Sequence, residues 1–115
     1  MFAYINKVGV YLGGCLNEPD KYPNMQKNKS ILIEGVDDTR DGIYWFTTPE
    51  NMEETAREFD LTVLANLGVD FTFIPDIYNP NSEQYDCWSE FADFMCVSNS
   101  CTGFANHAVM VCKKI

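Results

Sequence analysis

The sequence predicts a single α+β domain over residues 1–115: a mostly antiparallel sheet of about five strands with two helices packed on one face. Three observations lead there. The chain has 115 residues, 46% hydrophobic and 14% aromatic, enough for one core. Several short runs alternate apolar and polar residues with the period of a strand. Two longer stretches place apolar residues at helical spacing instead.

Taken in order, Phe2 to Leu12 alternates, with Phe2, Tyr4, Val8, Val10 and Leu12 on one face, and reads as a strand. Residues 13–29 hold Pro19, Pro23 and many polar side chains and read as a long polar loop. Ile31-Leu32-Ile33 and Ile43-Tyr44-Trp45-Phe46 are β-rich runs separated by a polar segment, which is the pattern of a hairpin. Thr48-Pro49 supplies an N-cap and a proline at the first helical position, and Glu50, Glu53 and Glu54 suit the positive end of a helix dipole. Met52, Ala56, Phe59 and Val63 then recur at helical spacing as far as Gly68. Val69, Phe71 and Phe73 alternate as a strand closed by Pro75. A second helix is expected from Ser82 to Val97. Phe104 to Lys113 is the last strand, apolar on both faces and so expected to pair with a central strand, although the strand order does not follow from the sequence.

Charge excludes whole classes of function. With 17 acidic against 8 basic residues, a net charge of −9, the chain lacks the basic patch of a direct nucleic-acid or anionic-membrane binder. No apolar run has the length of a membrane span, and Val8 to Leu12 is too short for an export signal. Five cysteines cannot all pair, so free thiols in a reducing cytoplasm are expected. If the chain is phage-encoded, that compartment is the host cytoplasm. Asn28-Lys29-Ser30 matches a glycosylation sequon, which carries meaning only in a secreted protein.

The acids are unevenly placed. Residues 1–29 contain four lysines and two acids, whereas residues 58–112 contain eight acids and no Lys or Arg. On the expected second helix Glu83, Asp86, Glu90 and Asp93 fall three, four and three apart and form one stripe about 80° wide. Cys87, Trp88, Phe91, Ala92 and Met95 occupy the adjoining sector and should face the core, with Phe94 at the seam. A solvated helix face accounts for such a stripe, yet uncompensated acids repel at these spacings. Acids flanked by Asp76, Tyr78, Tyr85 and Phe94 would suit a basic groove, with charge for steering and aromatic rings for anchoring. The stripe spreads its charges over about 15 Å, less than half as dense as duplex DNA at about 1.7 Å per charge. A competitor for a local basic patch fits better than a mimic of the whole duplex.

Three constellations bear on chemistry. Cys96, Cys101, His107 and Cys112 are spaced C-x4-C-x5-H-x4-C, unlike a zinc knuckle at two of its three gaps, and a strand would send His107 and Cys112 to opposite faces. Asp37-Asp38-Thr39-Arg40-Asp41-Gly42 echoes a calcium loop but lacks the closing Glu, so a hairpin turn accounts for it. Asp86-Cys87-Trp88 and Asn106-His107-Ala108-Val109 resemble the Cys-Trp and Asn-His-Ala-Val segments of papain-like cysteine proteases. That resemblance covers about ten residues and implies Cys87 as nucleophile and His107 as base. The gap between them is 20 residues where that family has more than 100. No phosphate-binding loop or serine elbow is present.

The expectation is therefore a non-enzymatic acidic binding protein, monomeric or homodimeric, without cofactor or metal, whose acidic half occupies a basic surface on a nucleic-acid-binding protein. In size and charge the chain resembles the inhibitors with which bacteriophages and mobile elements block host nucleases, the anti-CRISPR and anti-restriction proteins. The runner-up is a small cysteine hydrolase built on Cys87 and His107. A third reading pairs the acidic face with Lys7, Lys21, Lys27 and Lys29 of a second copy.

Overall fold

A computed structural model describes residues 1–37, 44–71 and 83–115. The first strand is short. Strand β1 (Phe2–Ile5) stops at Asn6, whose side-chain oxygen accepts a hydrogen bond from the Val8 N–H and caps helix α1 (Lys7–Val10). That helix widens without a break into a π-type turn (Tyr11–Leu16). The expected strand to Leu12 is thus corrected from residue 6 onward, because a buried asparagine at a helix N-cap outweighs the alternation around it. Gly9 is needed here, since any side chain would run into the Ala105 carbonyl.

The polar loop expected over residues 13–29 is also corrected. It begins inside the π-type turn and ends inside helix α2 (Met25–Glu34), which Asn24 caps by accepting from the Lys27 N–H at 3.0 Å. Helix α2 contains Ile31-Leu32-Ile33, the run expected to be a strand. Ile31 is buried against Cys15 and Tyr22 while Ile33 faces out, so packing of one helical face overrides the β preference of isoleucine. The helix closes at Gly35 in the left-handed region, φ 70°. Asn28, the sequon asparagine, is buried and donates to the Tyr22 carbonyl.

Strands β2 (Val36–Asp37) and β3 (Tyr44–Trp45) form a two-residue antiparallel ribbon, which corrects the expected hairpin: its first strand comes from the segment read as the connection and not from Ile31-Leu32-Ile33. The Asp38–Gly42 part of the calcium-like segment lies outside the described residues. Helix α3 (Pro49–Glu58) starts as expected: Thr48 accepts from the Asn51 N–H, and Pro49 is the first helical residue. It ends ten residues earlier than the spacing to Gly68 suggests. Asp60 turns the chain at φ 55°, and strand β4 (Leu61–Gly68) follows. The expected strand from Val69 shrinks to a single bridge between Phe71 and Ala105 among the described residues. Helix α4 (Glu83–Cys96), a 3-10 turn (Asn99–Phe104) and strand β5 (His107–Lys114) complete the chain.

The sheet is antiparallel with order β1-β5-β4. It has three strands and not the expected five. The described residues include four α-helices and a 3-10 turn where two helices were expected, because segments read as strand and loop are helical. Strand β5 is its centre. Tyr4, Ala108 and Met110 point from the sheet to Ala56 of α3, with Met52, Leu61, Val63 and Cys112 around them. A bulge between Val63 and Ala65 shifts which residues of β4 face inward. Leu61 and Val63 are opposite Lys114 and Cys112; beyond the bulge, Asn66 and Gly68 are opposite Met110 and Ala108. Two satellite clusters flank this core. Cys15, Tyr22 and Ile31 join α2 to the π-type turn, and Phe71, Met95 and Ala105 pin α4 to the end of the sheet.

Candidate functional site

Helix α4 is fastened along one narrow stripe. Met95 is its one buried side chain, in contact with Phe71 and Ala105, while Ala92 and Cys96 pack beside it. Trp88 and Tyr85 are half-buried. At about 100° per residue, this puts the inward direction near Met95 and Ala92. The expected core sector is therefore rotated, and Cys87 and Phe91, read as core residues, are exposed. Phe91 is 53% exposed and Phe94 59%. Their rings stack with centroids 6.3 Å apart, 17° from parallel.

The outward half of α4 then carries two lanes. Glu83, Asp86, Glu90 and Asp93 are all exposed and form the acidic lane as expected. Phe94, Cys87 and Phe91 form an aromatic lane directly beside it. Past the helix end Val97 continues the apolar surface at 74% exposure, and Phe104 on the 3-10 turn is exposed as well. No Lys or Arg among the described residues makes an ion pair with the four acids. Carboxylates without an ion-pair partner among the described residues, beside exposed rings, have the composition an interaction surface would need: rings could supply buried area, and carboxylates could select a cationic partner. Asp76 and Tyr78, the other two residues assigned to this surface, lie outside the described residues.

The second site residue expected from sequence, His107, has a partner the sequence did not reveal. Asp70 accepts from the His107 backbone N–H at 2.6 Å through one carboxylate oxygen and faces the imidazole Nδ1 at 2.6 Å through the other. The Val69 N–H donates to the His107 carbonyl, and the Asn106 N–H to the Asp70 carbonyl, so the backbone locks the pair in register. With Nδ1–H held by Asp70, Nε2 is the nitrogen left to accept a proton. A carboxylate orienting an imidazole is two-thirds of a nucleophilic triad. No hydrogen bond joins Cys87 to His107, however, and Cys87 stands exposed on α4. Nothing in the sequence marked Asp70, which lies 37 positions from its partner.

Among the described residues, metal chemistry finds no scaffold. His107 and Cys112 leave β5 on opposite faces, and the described residues contain no group of three His, Cys, Asp or Glu side chains that could hold an ion. No described helix is long and apolar enough to cross a membrane. Compared with protein families, with curated proteins and with solved structures, the chain matches none.

Proposed function

We propose that the protein is a non-enzymatic binding protein whose α4 surface occupies a basic, nucleic-acid-binding face of a partner protein, as an inhibitor of the anti-CRISPR or anti-restriction kind would. The observation that carries this reading is the exposed, stacked Phe91–Phe94 pair alongside Glu83, Asp86, Glu90 and Asp93. A purely solvated helix face would present the acids without the rings. Exposed rings on a single-domain surface are costly unless a partner covers them. Basic surfaces that bind nucleic acid combine cationic side chains with aromatic or aliphatic stacking platforms, so they accept both lanes at once.

Affinity capture from a bacterial lysate tests it with three baits: the wild type, the charge reversal of Glu83, Asp86, Glu90 and Asp93 to Lys, and the Phe91→Ser/Phe94→Ser double variant. The expected result is a nucleic-acid-binding protein retained by the wild type alone, eluted by salt and displaced by competing nucleic acid. Equal retention on all three baits would refute the reading.

The cysteine-hydrolase alternative retains one favourable observation, the Asp70–His107 pair. It requires the exposed Cys87 thiol to reach the imidazole, and rapid iodoacetamide labelling of Cys87 that is slowed by His107→Ala would support it.

A further inference from the structure

A second candidate binding feature lies where α3 crosses the sheet, in a cluster separate from the one that holds α4. A half-open cleft of about 370 Å³ runs between helix and sheet, walled by Phe2 and Met110 of the sheet, Leu61 at the start of β4, Met52 and Ala56 of α3, and Phe59 just past its end. The Thr55 hydroxyl is the one polar side-chain group in the lining. The volume is about two and a half times the ~150 Å³ in which an apolar cavity takes up benzene, and at ~30 Å³ per water-sized group it holds about twelve such groups.

The cleft has a charged flank. Lys114 stands directly opposite Leu61 across the β4–β5 ladder. Directly opposed residues leave an antiparallel pair on the same face, so Lys114 projects on the side of Leu61 and Met110. No ion pair among the described residues neutralises its ammonium. Lys113 leaves on the other face.

We propose that this cleft binds a single-chain anionic amphiphile: a straight alkyl chain of about ten carbons lying along Met52, Ala56, Phe59 and Met110, its carboxylate paired with Lys114. The net charge of −9 repels small anions generally. An anion that binds here must therefore draw its affinity from an apolar chain, and the lining offers nothing to a ligand with several hydrogen-bonding groups inside the cleft.

Titration calorimetry with decanoate below its micellar concentration tests the assignment, with decanol and acetate as single-feature controls. The expected result is one-to-one binding of decanoate and none of acetate. Lys114→Glu should weaken decanoate binding about tenfold, and Lys113→Glu should leave it unchanged. Thr55→Trp, at an exposed helix position where circular dichroism can confirm the fold, should abolish it by filling the cleft. Absence of decanoate binding at about 1 mM overturns the proposal, as does decanoate binding equally well to the wild type and to Lys114→Glu. A wild-type dimer that Thr55→Trp converts to monomer would assign the cleft to a second copy instead and overturn it too.

Discussion

Two buried polar residues hold the framework on which both surfaces rest. Asn6 has no solvent exposure, and its amide donates to the carbonyls of Thr102 and Gly103 while its backbone N–H donates to Asn106. One side chain thus joins the end of β1 to the 3-10 turn preceding β5. Replacing it with leucine takes the Asn6 amide from both carbonyls, of which Thr102 keeps the Ala105 N–H, and leaves α1 uncapped, which should cost about 2–3 kcal/mol, measurable by urea denaturation. Tyr4 is the second. Its hydroxyl donates to Asn66 Oδ1 at 2.6 Å, and the Asn66 amide donates onward to the Pro49 carbonyl and to Glu53. Burial pushes the Tyr4 phenol up to about 12, offset in part by the Asn66 bond and reinforced by Glu53 and Glu50. A raised phenol favours the protonated folded state. Its stabilising contribution is complete below pH 10 and is lost as pH rises from about 10 to about 12. Tyr4→Phe should therefore flatten that part of the stability–pH curve, as read by thermal melts. Alternation in the sequence identified Tyr4 as inward-facing. It also ran straight through Asn6, because hydrogen bonds to carbonyls 96 and 97 residues away leave no local trace.

At the scale of elements, the helices that announced themselves chemically were legible and those set by packing were not. Thr48-Pro49 placed the start of α3, though not its end, and the acidic register of Glu83 to Asp93 placed α4 to within a few residues. Helix α2 was hidden, since Lys, Asn and Ser over residues 27–30 look like loop and the three following aliphatics look like strand. Strand β4 was hidden for a different reason. Its bulge changes which parity faces inward, so Leu61 and Val63 but then Asn66 and Gly68 point to the core, and neither a strict period of two nor one of 3.6 describes it. The rotation of α4 was missed because Cys87 and Phe91 share the sector beside the acidic stripe with Trp88, Ala92 and Met95, and the whole sector was assigned inward. The structure gives the inward stripe to Met95, Ala92 and Cys96. A stability consequence separates the two readings: Phe91→Ser/Phe94→Ser should change unfolding free energy by no more than about 1 kcal/mol, whereas Met95→Ala should cost about 2–4 kcal/mol. Denaturant titration of both variants distinguishes them.

For the molecule as a whole, the α+β class followed from composition and periodicity, whereas the last strand, expected to pair with a central one, is itself the centre of the sheet. The strand count did not follow, because strand order and partners depend on contacts between the two ends of the chain. Phe2 pairs with Met110 and Ile5 with His107, while Leu61 pairs with Lys114. Both edge strands thus share one partner. A chain stopped after Asn106 should leave β1 and β4 with unpaired edges and pass into the insoluble fraction on expression, which gel analysis of lysate fractions would show. The same arrangement bears on biosynthesis. About a hundred residues separate Phe2 from Met110, so at ribosomal speeds of about 5–20 residues per second the N-terminal strand waits roughly 5–20 s for its template. The charge that would keep the nascent chain apart from its neighbours also arrives late, since residues 1–29 carry four lysines against two acids and the unrelieved acids lie in residues 58–112.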